Sequence, residues 1–131
     1  MTESDERAFG GIDSVDDVGD GGREAVVEEL AEVCDEKLPR MAASGQWPVT
    51  FGHCFRRLAY DAACRGQWYD HVDGESFVED ASDDQLGDAL YHAVAMMYKG
   101  HEYAWELQEK SMVWRGEMEA EECEYAEVGA L

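Results

Sequence analysis

A long run of apolar side chains at helical spacing, between Ser82 and Trp114, constrains this chain more than any other feature of its sequence. Apolar or small residues recur there at alternating steps of four and three, which is the spacing of one packed helix face. That face comprises Leu86, Leu90, Ala93, Met97, Gly100, Ala104, Leu107, Ser111 and Trp114. We therefore predict a helical domain in which most of this face is buried.

A second apolar row lies beside the first and makes the same segment hydrophobic over a wide arc. Gly100 predicts a kink or a break, with two helices over 82–99 and 101–115 as the expected outcome, because glycine is unfavourable inside a helix and common just past its end. Ser82 and Gln85 have the spacing of a capping box, which marks the start of the first one. The second row contains Tyr91, Val94, Tyr98, His101, Trp105 and Met112.

An amphipathic helix is predicted near the start of the chain, over 23–44. Its apolar positions again follow steps of three and four, with glutamates mostly on the opposite side. Pro39 removes one interior hydrogen bond, so the helix is expected to kink there or to end near Leu38. The apolar positions are Val27, Leu30, Cys34, Leu38 and Met41.

Another helix is predicted over 50–66, after the rigid Trp47-Pro48 connector. Thr50 is the predicted N-cap, and Gly66 is suited to the left-handed conformation that closes a helix. Arg57 precedes Asp61 by one helical turn, which favours a weak pair between them. The expected core stripe is Phe51, Phe55, Leu58 and Ala62.

The fold class that follows is all-α, a small bundle of about four helices. Residues 1–22 and 117–131 are acidic and are predicted to be disordered extensions of one helical domain over 23–116. Between the second and third helices, Asp73-Gly74 could form a short β-hairpin, with an irregular loop as the alternative.

The balance of charge limits the partners of this chain. It has 31 acidic and 10 basic residues, a formal charge of −21, and only three lysines. At about 1 M salt the screening length is roughly 3 Å, so these acids are expected to act as hydrated surface and not as long-range attractants. Mimicry of nucleic acid by the carboxylates is the alternative interpretation of this acidity.

Two segments, GHCFRRLAYDAACRGQWYDHV and SMVWRG, resemble short acidic haloarchaeal proteins of unassigned function, over about residues 48–116. This resemblance implies a halophilic cytoplasm and no particular reaction. No basic start followed by an apolar stretch indicates a signal peptide, and no apolar run approaches the roughly 18 residues of a spanning helix, so no membrane association is expected.

Catalytic and metal-binding signals are weak throughout the sequence. Cys34, Cys54, Cys64 and Cys123 include no close pair, and a helix would separate Cys54 from Cys64 by about 15 Å, so no metal site, cofactor or catalytic residue is predicted. His71 between Asp70 and Asp73 is the only candidate acid–base histidine. It would need a concave pocket and a second titratable group within reach of the ring.

Two surfaces remain as candidates for function. The first is a basic and aromatic stretch that could bind nucleic acid or another anion through Arg56, Arg57, Arg65, Trp47 and Trp68. The second is the wide apolar arc of the last two helices, whose interface candidates are Tyr91, Met97, Tyr98, Trp105, Met112 and Trp114. The leading hypothesis is a non-enzymatic interaction module that forms a homo-oligomer, with a homodimer as the expected form, or binds a protein partner through this second surface.

Overall fold

Helices make up the regular structure of residues 20–123, the part of the chain that the computed structural model describes, and no strand occurs in that range. The all-α prediction is therefore confirmed. Residues 1–19 and 124–131, which hold most of the acidic ends predicted to be disordered, lie outside the described residues. The helices are α1 (Asp20–Glu32), a π-helix (Val33–Lys37), α2 (Leu38–Ala42), α3 (Gly52–Cys64), α4 (Phe77–Asp80), α5 (Asp83–Lys99) and α6 (His101–Trp114), with short 3₁₀ helices at Trp68–Asp70 and Ala120–Glu122.

The first predicted helix continues through Pro39 instead of ending there. The turn before the proline widens into the π-helix, in which the Leu38 N–H bonds to the carbonyl of Val33, five residues back. A wider turn accommodates both the missing N–H of the proline and the bulk of its ring. Helical structure consequently extends from residue 20 to residue 42.

The start of α3 differs from the prediction. Phe51, not Thr50, is the N-cap, and it makes no side-chain cap hydrogen bond. Gly52 lies so close to the π-helix that an added Cβ would come within 2.6 Å of Asp35 Oδ1. Close packing therefore determines where α3 begins. Phe51 is 65% exposed as a result, so its assignment to the core stripe was wrong.

The end of α3 also differs from the prediction. Arg65, not Gly66, takes the left-handed conformation, with φ 56° and ψ 46°. Gly66 is needed for another reason, because the His71 ring packs against it and an added Cβ would lie 2.5 Å from His71 Nε2.

The start of α5 and the break after it agree with the sequence. Ser82 and Gln85 form the predicted capping box, with Gln85 N–H donating to Ser82 Oγ at 3.0 Å. Gly100 separates α5 from α6 with φ 84° and ψ −164°, a region that is essentially restricted to glycine. The chain therefore breaks at this residue and does not merely bend.

The hairpin suggested at Asp73-Gly74 is not confirmed. Residues 71–76 form turns and bends, and Ser76 then caps the four-residue helix α4. Asp80 accepts a hydrogen bond from the Ser76 N–H and lies against Gly74, whose φ is 129°. An irregular connector thus leads directly into α5.

The core surrounds α3, which packs against the π-helix, α5 and α6, while α5 also packs against α1. The predicted first row of α5 and α6 faces this core, with Leu86, Ala93, Ala104, Leu107 and Ser111 buried. On α3, Phe55, Leu58 and Ala62 are buried as predicted, and Tyr60 and Asp61 are buried as well. No described helix is long and apolar enough to cross a membrane.

Candidate functional site

The outer face of α5 exposes two large aromatic rings. Tyr91 is 60% and Tyr98 is 82% exposed. Seven residues separate them, so they lie on the same side of the helix and about 10 Å apart along its axis. Half-buried Val94 and buried Ala95 occupy the turn between them. We call this surface the tyrosine face.

The other predicted interface residues are less accessible. Trp105 is 41% exposed, and its indole N–H donates to the Gln46 carbonyl at 2.8 Å, which fixes the ring on the α2–α3 connector. Met97 is half-buried and packs against the core. Met112 and Trp114 are half-buried, and the Trp114 indole nitrogen is buried without a hydrogen-bond partner among residues 20–123.

A histidine and a tyrosine join α5 to α6 beside the tyrosine face. His92 Nδ1 and Tyr103 Oη are 2.8 Å apart, and their rings are stacked. Burial lowers the pKa of His92, the nearby Asp88 carboxylate opposes that shift, and the cations Lys110, Arg65 and Lys99 reinforce it. The imidazole is consequently favoured in its neutral form. Burial also raises the pKa of Tyr103 to about 12.

The three arginines of the predicted basic surface have different environments. Arg56 forms an ion pair with Asp35 of the π-helix. Arg57 points towards α6, where it donates to Ser111 Oγ at 3.0 Å and to Gln108 Oε1 at 2.7 Å. Arg65 is exposed at the end of α3.

The two tryptophans of that surface are likewise separated. Both are half-buried and pack against the core. Trp47 contacts Phe55 and His101, whereas Trp68 contacts Tyr60 and Phe77. Of these five residues, Arg56 and Trp68 line one cavity, whereas Trp47 packs beside Phe55 and His101 and Arg57 is bonded to α6.

Sequence reasoning missed a buried polar cluster around Asp61. This carboxylate is 0% exposed and accepts hydrogen bonds from Arg115 Nε at 2.6 Å, Arg115 Nη2 at 3.0 Å, Ser111 Oγ at 2.7 Å and the Trp68 N–H at 3.0 Å. The expected Arg57–Asp61 pair was wrong. Asp61 pairs with a residue 54 positions away, which one helix pattern cannot indicate.

The Asp61 cluster stabilises the packing of neighbouring segments. The Asp61 carboxylate accepts hydrogen bonds from the Arg115 guanidinium, and this hydrogen bonding is the main cause of the raised pKa of Arg115. The guanidinium also lies over the Tyr69 ring, 5.2 Å from its centroid. Every hydrogen-bonding position at the carboxylate is used to link α3, α6 and the Trp68 turn, so none is left for a ligand.

The remaining candidates for catalysis or metal binding are His71, groups of metal-ligating side chains and the four cysteines. His71 is exposed, and no titratable side chain among residues 20–123 lies within hydrogen-bond distance of its ring. No group of three metal-ligating side chains is found in the same range. Cys34 is fully buried, and burial raises the pKa of its thiol to about 12, while Cys54, Cys64 and Cys123 are half-buried.

Comparison with known proteins finds no matching family model, no matching curated protein and no matching solved structure.

Proposed function

We propose that this protein is a non-enzymatic interaction module that forms a homodimer through the tyrosine face of α5. The observation that carries the proposal is the exposure of Tyr91 and Tyr98 on one side of one helix. Aromatic rings are enriched at the centres of protein interfaces because they bury a large area at little entropic cost. In a chain with 31% charged residues, two such rings on one face are unlike the surrounding surface.

The pattern along α5 favours a second copy of the same chain as the partner. A two-fold axis near Val94 and Ala95 would place Tyr91 of one helix opposite Tyr98 of the other, as an isologous interface requires. The same antiparallel arrangement would bring Asp88 close to Lys99 of the second helix. Asp88 and Lys99 are both exposed and carry opposite charges, so the tyrosine face is complementary to a second copy of itself.

Salt determines when such a dimer forms. Two chains of formal charge −21 repel each other strongly in dilute buffer. Molar salt screens that repulsion and strengthens the burial of apolar surface. We propose a halophilic cytoplasm as the setting, which the acidic composition and the scarcity of lysine support.

Sedimentation in molar KCl over micromolar concentrations tests the proposal. The wild type is expected to sediment as a dimer and the Tyr91→Ser/Tyr98→Ser variant as a monomer. Phe51→Ser is the matched control, since it removes an exposed ring at the N-cap of α3 and should leave the dimer intact. A monomeric wild type, or a double variant that associates like the wild type, would overturn the proposal.

Charge reversal tests the antiparallel orientation. At the lowest salt in which the protein stays folded, Asp88→Lys should weaken the dimer, and adding Lys99→Asp should restore it. Equal weakening by both variants would contradict this arrangement. Nucleic acid that co-purifies with the protein and survives molar salt would instead favour the basic surface as the functional one.

A further inference from the structure

A half-open cavity lies between α1, α3 and α4. We propose that it binds a small, uncharged, largely aromatic molecule that carries one hydrogen-bond acceptor. The cavity has a volume of about 370 Å³, within the usual range for small-molecule sites. It shares no residue with the tyrosine face, so the two proposals stand independently.

The walls of the cavity are mostly apolar and include three aromatic side chains. Tyr60 and Phe77 are stacked with their centroids 4.0 Å apart, and Trp68 meets both of them edge-on. A planar ring of the ligand would pack against this aromatic wall in the edge-to-face or offset geometry that aromatic pairs prefer. The remaining apolar lining is Val27, Leu30, Ala31 and Val78.

The cavity lining offers hydrogen-bond donors on Tyr60 and Arg56 and acceptors on Glu75 and Ser76. The Tyr60 hydroxyl has no hydrogen-bond partner among residues 20–123. Burial raises its pKa to about 12, so it remains a protonated donor, and the Arg56 guanidinium beside it is a second donor. A carbonyl or similar acceptor on the ligand would satisfy them.

The charges around the cavity favour a neutral ligand over an ion. Arg56 is already paired with Asp35, and Glu75 also lines the cavity. A carboxylate would approach two acids, whereas an ammonium would approach the guanidinium. An uncharged acceptor avoids both costs.

The cavity wall is held in place by contacts that do not involve a ligand. Arg23 of α1 donates to the Val78 carbonyl at 3.0 Å and to the Ala81 carbonyl at 2.8 Å, and it also pairs with Asp83 at 2.8 Å. These bonds fix α4 against α1. A preformed site loses less entropy on binding than one that must close around its ligand.

Three probes of nearly equal size test the proposed chemistry: phenylacetamide, phenylacetate and phenethylamine. Titration of the full chain followed by amide NMR should show that the neutral amide binds more tightly than the anion or the cation, with shifts at residues around the cavity. No saturable shift with the amide, or tighter binding of either ion, would overturn the proposal.

Two variants test the location of the site. Tyr60→Phe keeps the ring and removes the donor, so it should weaken amide binding by up to about tenfold, the value of one hydrogen bond. Ala31→Phe should block the cavity, whereas Ala25→Phe is the matched control at an exposed position of the same helix outside it. Equal binding by the two phenylalanine variants would contradict the assignment.

Discussion

The Asp61 cluster buries a charged group, whereas the tyrosine face exposes large aromatic rings, and both arrangements are the reverse of the usual one. Asp61 is charged and 0% exposed, while Tyr98 carries a large ring and is 82% exposed. The carboxylate is buried because four hydrogen bonds, two of them from Arg115, replace its water. Tyr98 has no comparable set of partners within the described chain.

This difference shows that the available partners, more than the residue type, decide what α3, α5 and α6 bury. A charge can enter a core when opposite charge and donors surround it, and breaking such a set is far more costly than never forming it. An apolar ring remains outside when the core face of its helix is already filled, as it is on α5 by Leu86, Ala89, Ala93 and Met96.

Removal of the Asp61 charge is expected to have the largest effect on stability. Asp61→Asn keeps the shape but leaves Arg115 as an uncompensated, mostly buried charge, so urea unfolding should show a loss of about 3 kcal/mol. Asp73→Asn, at an exposed position in the α3–α4 connector, is the control and should change little.

A double variant sharpens that prediction. If the loss comes from the unpaired cation, Asp61→Asn combined with Arg115→Gln should cost less than the sum of the two single variants. Additive losses would mean that Asp61 and Arg115 act independently, contrary to the hydrogen bonds between them.

The next largest effect is expected at the joint between α5 and α6. Gly100→Ala should destabilise the fold by about 1 to 2 kcal/mol because its positive φ is strained for alanine, although an added Cβ would meet no atom within 4 Å. Gly87→Ala, also with open space but inside α5, should stabilise it by about 0.5 kcal/mol. Changes of the same sign in thermal unfolding would contradict this account.

A smaller effect is expected from pH at the His92–Tyr103 contact. Burial lowers the pKa of His92 from its ordinary value of 6.5 in the folded chain, so the unfolded chain binds the proton more readily. The stability that neutral His92 contributes is fully present above the pKa of this residue in the unfolded chain. It is lost as pH falls through the pKa of His92 in the folded chain.

The free energies of unfolding of the wild type and of His92→Gln at about pH 8 and about pH 5 measure that contribution, because these two pH values lie on either side of the ordinary histidine pKa. The wild type should lose more stability on acidification than the variant. An identical loss would show that His92 titrates alike in the folded and unfolded chains.

The smallest effect on monomer stability is expected at the tyrosine face. Tyr98→Ser, measured at a concentration where the protein is monomeric, should change the unfolding free energy by less than about 0.5 kcal/mol. Dimer formation should fall sharply in the same variant. A loss of stability as large as that of Asp61→Asn would mean that this ring is structural.

Local patterns predicted most of the fold correctly. The predicted helices 82–99 and 101–115 agree closely with α5 and α6, and the Ser82–Gln85 capping box is present. These features depend on residues three or four positions apart, which any helix places next to each other on one face. The errors at Thr50, Phe51 and Gly66 arose where another segment packs against the ends of α3.

The sequence by itself determined the helical class, the row of α5 and α6 that faces the core, and an interruption of the helix at Gly100, because each follows from short-range spacing and backbone sterics. Only the tertiary structure decided that Asp61 pairs with Arg115 and that Tyr60, Trp68 and Phe77 line one cavity. Those relations join segments far apart in the chain. Their energies depend on burial and distance, which exist only once the helices have packed.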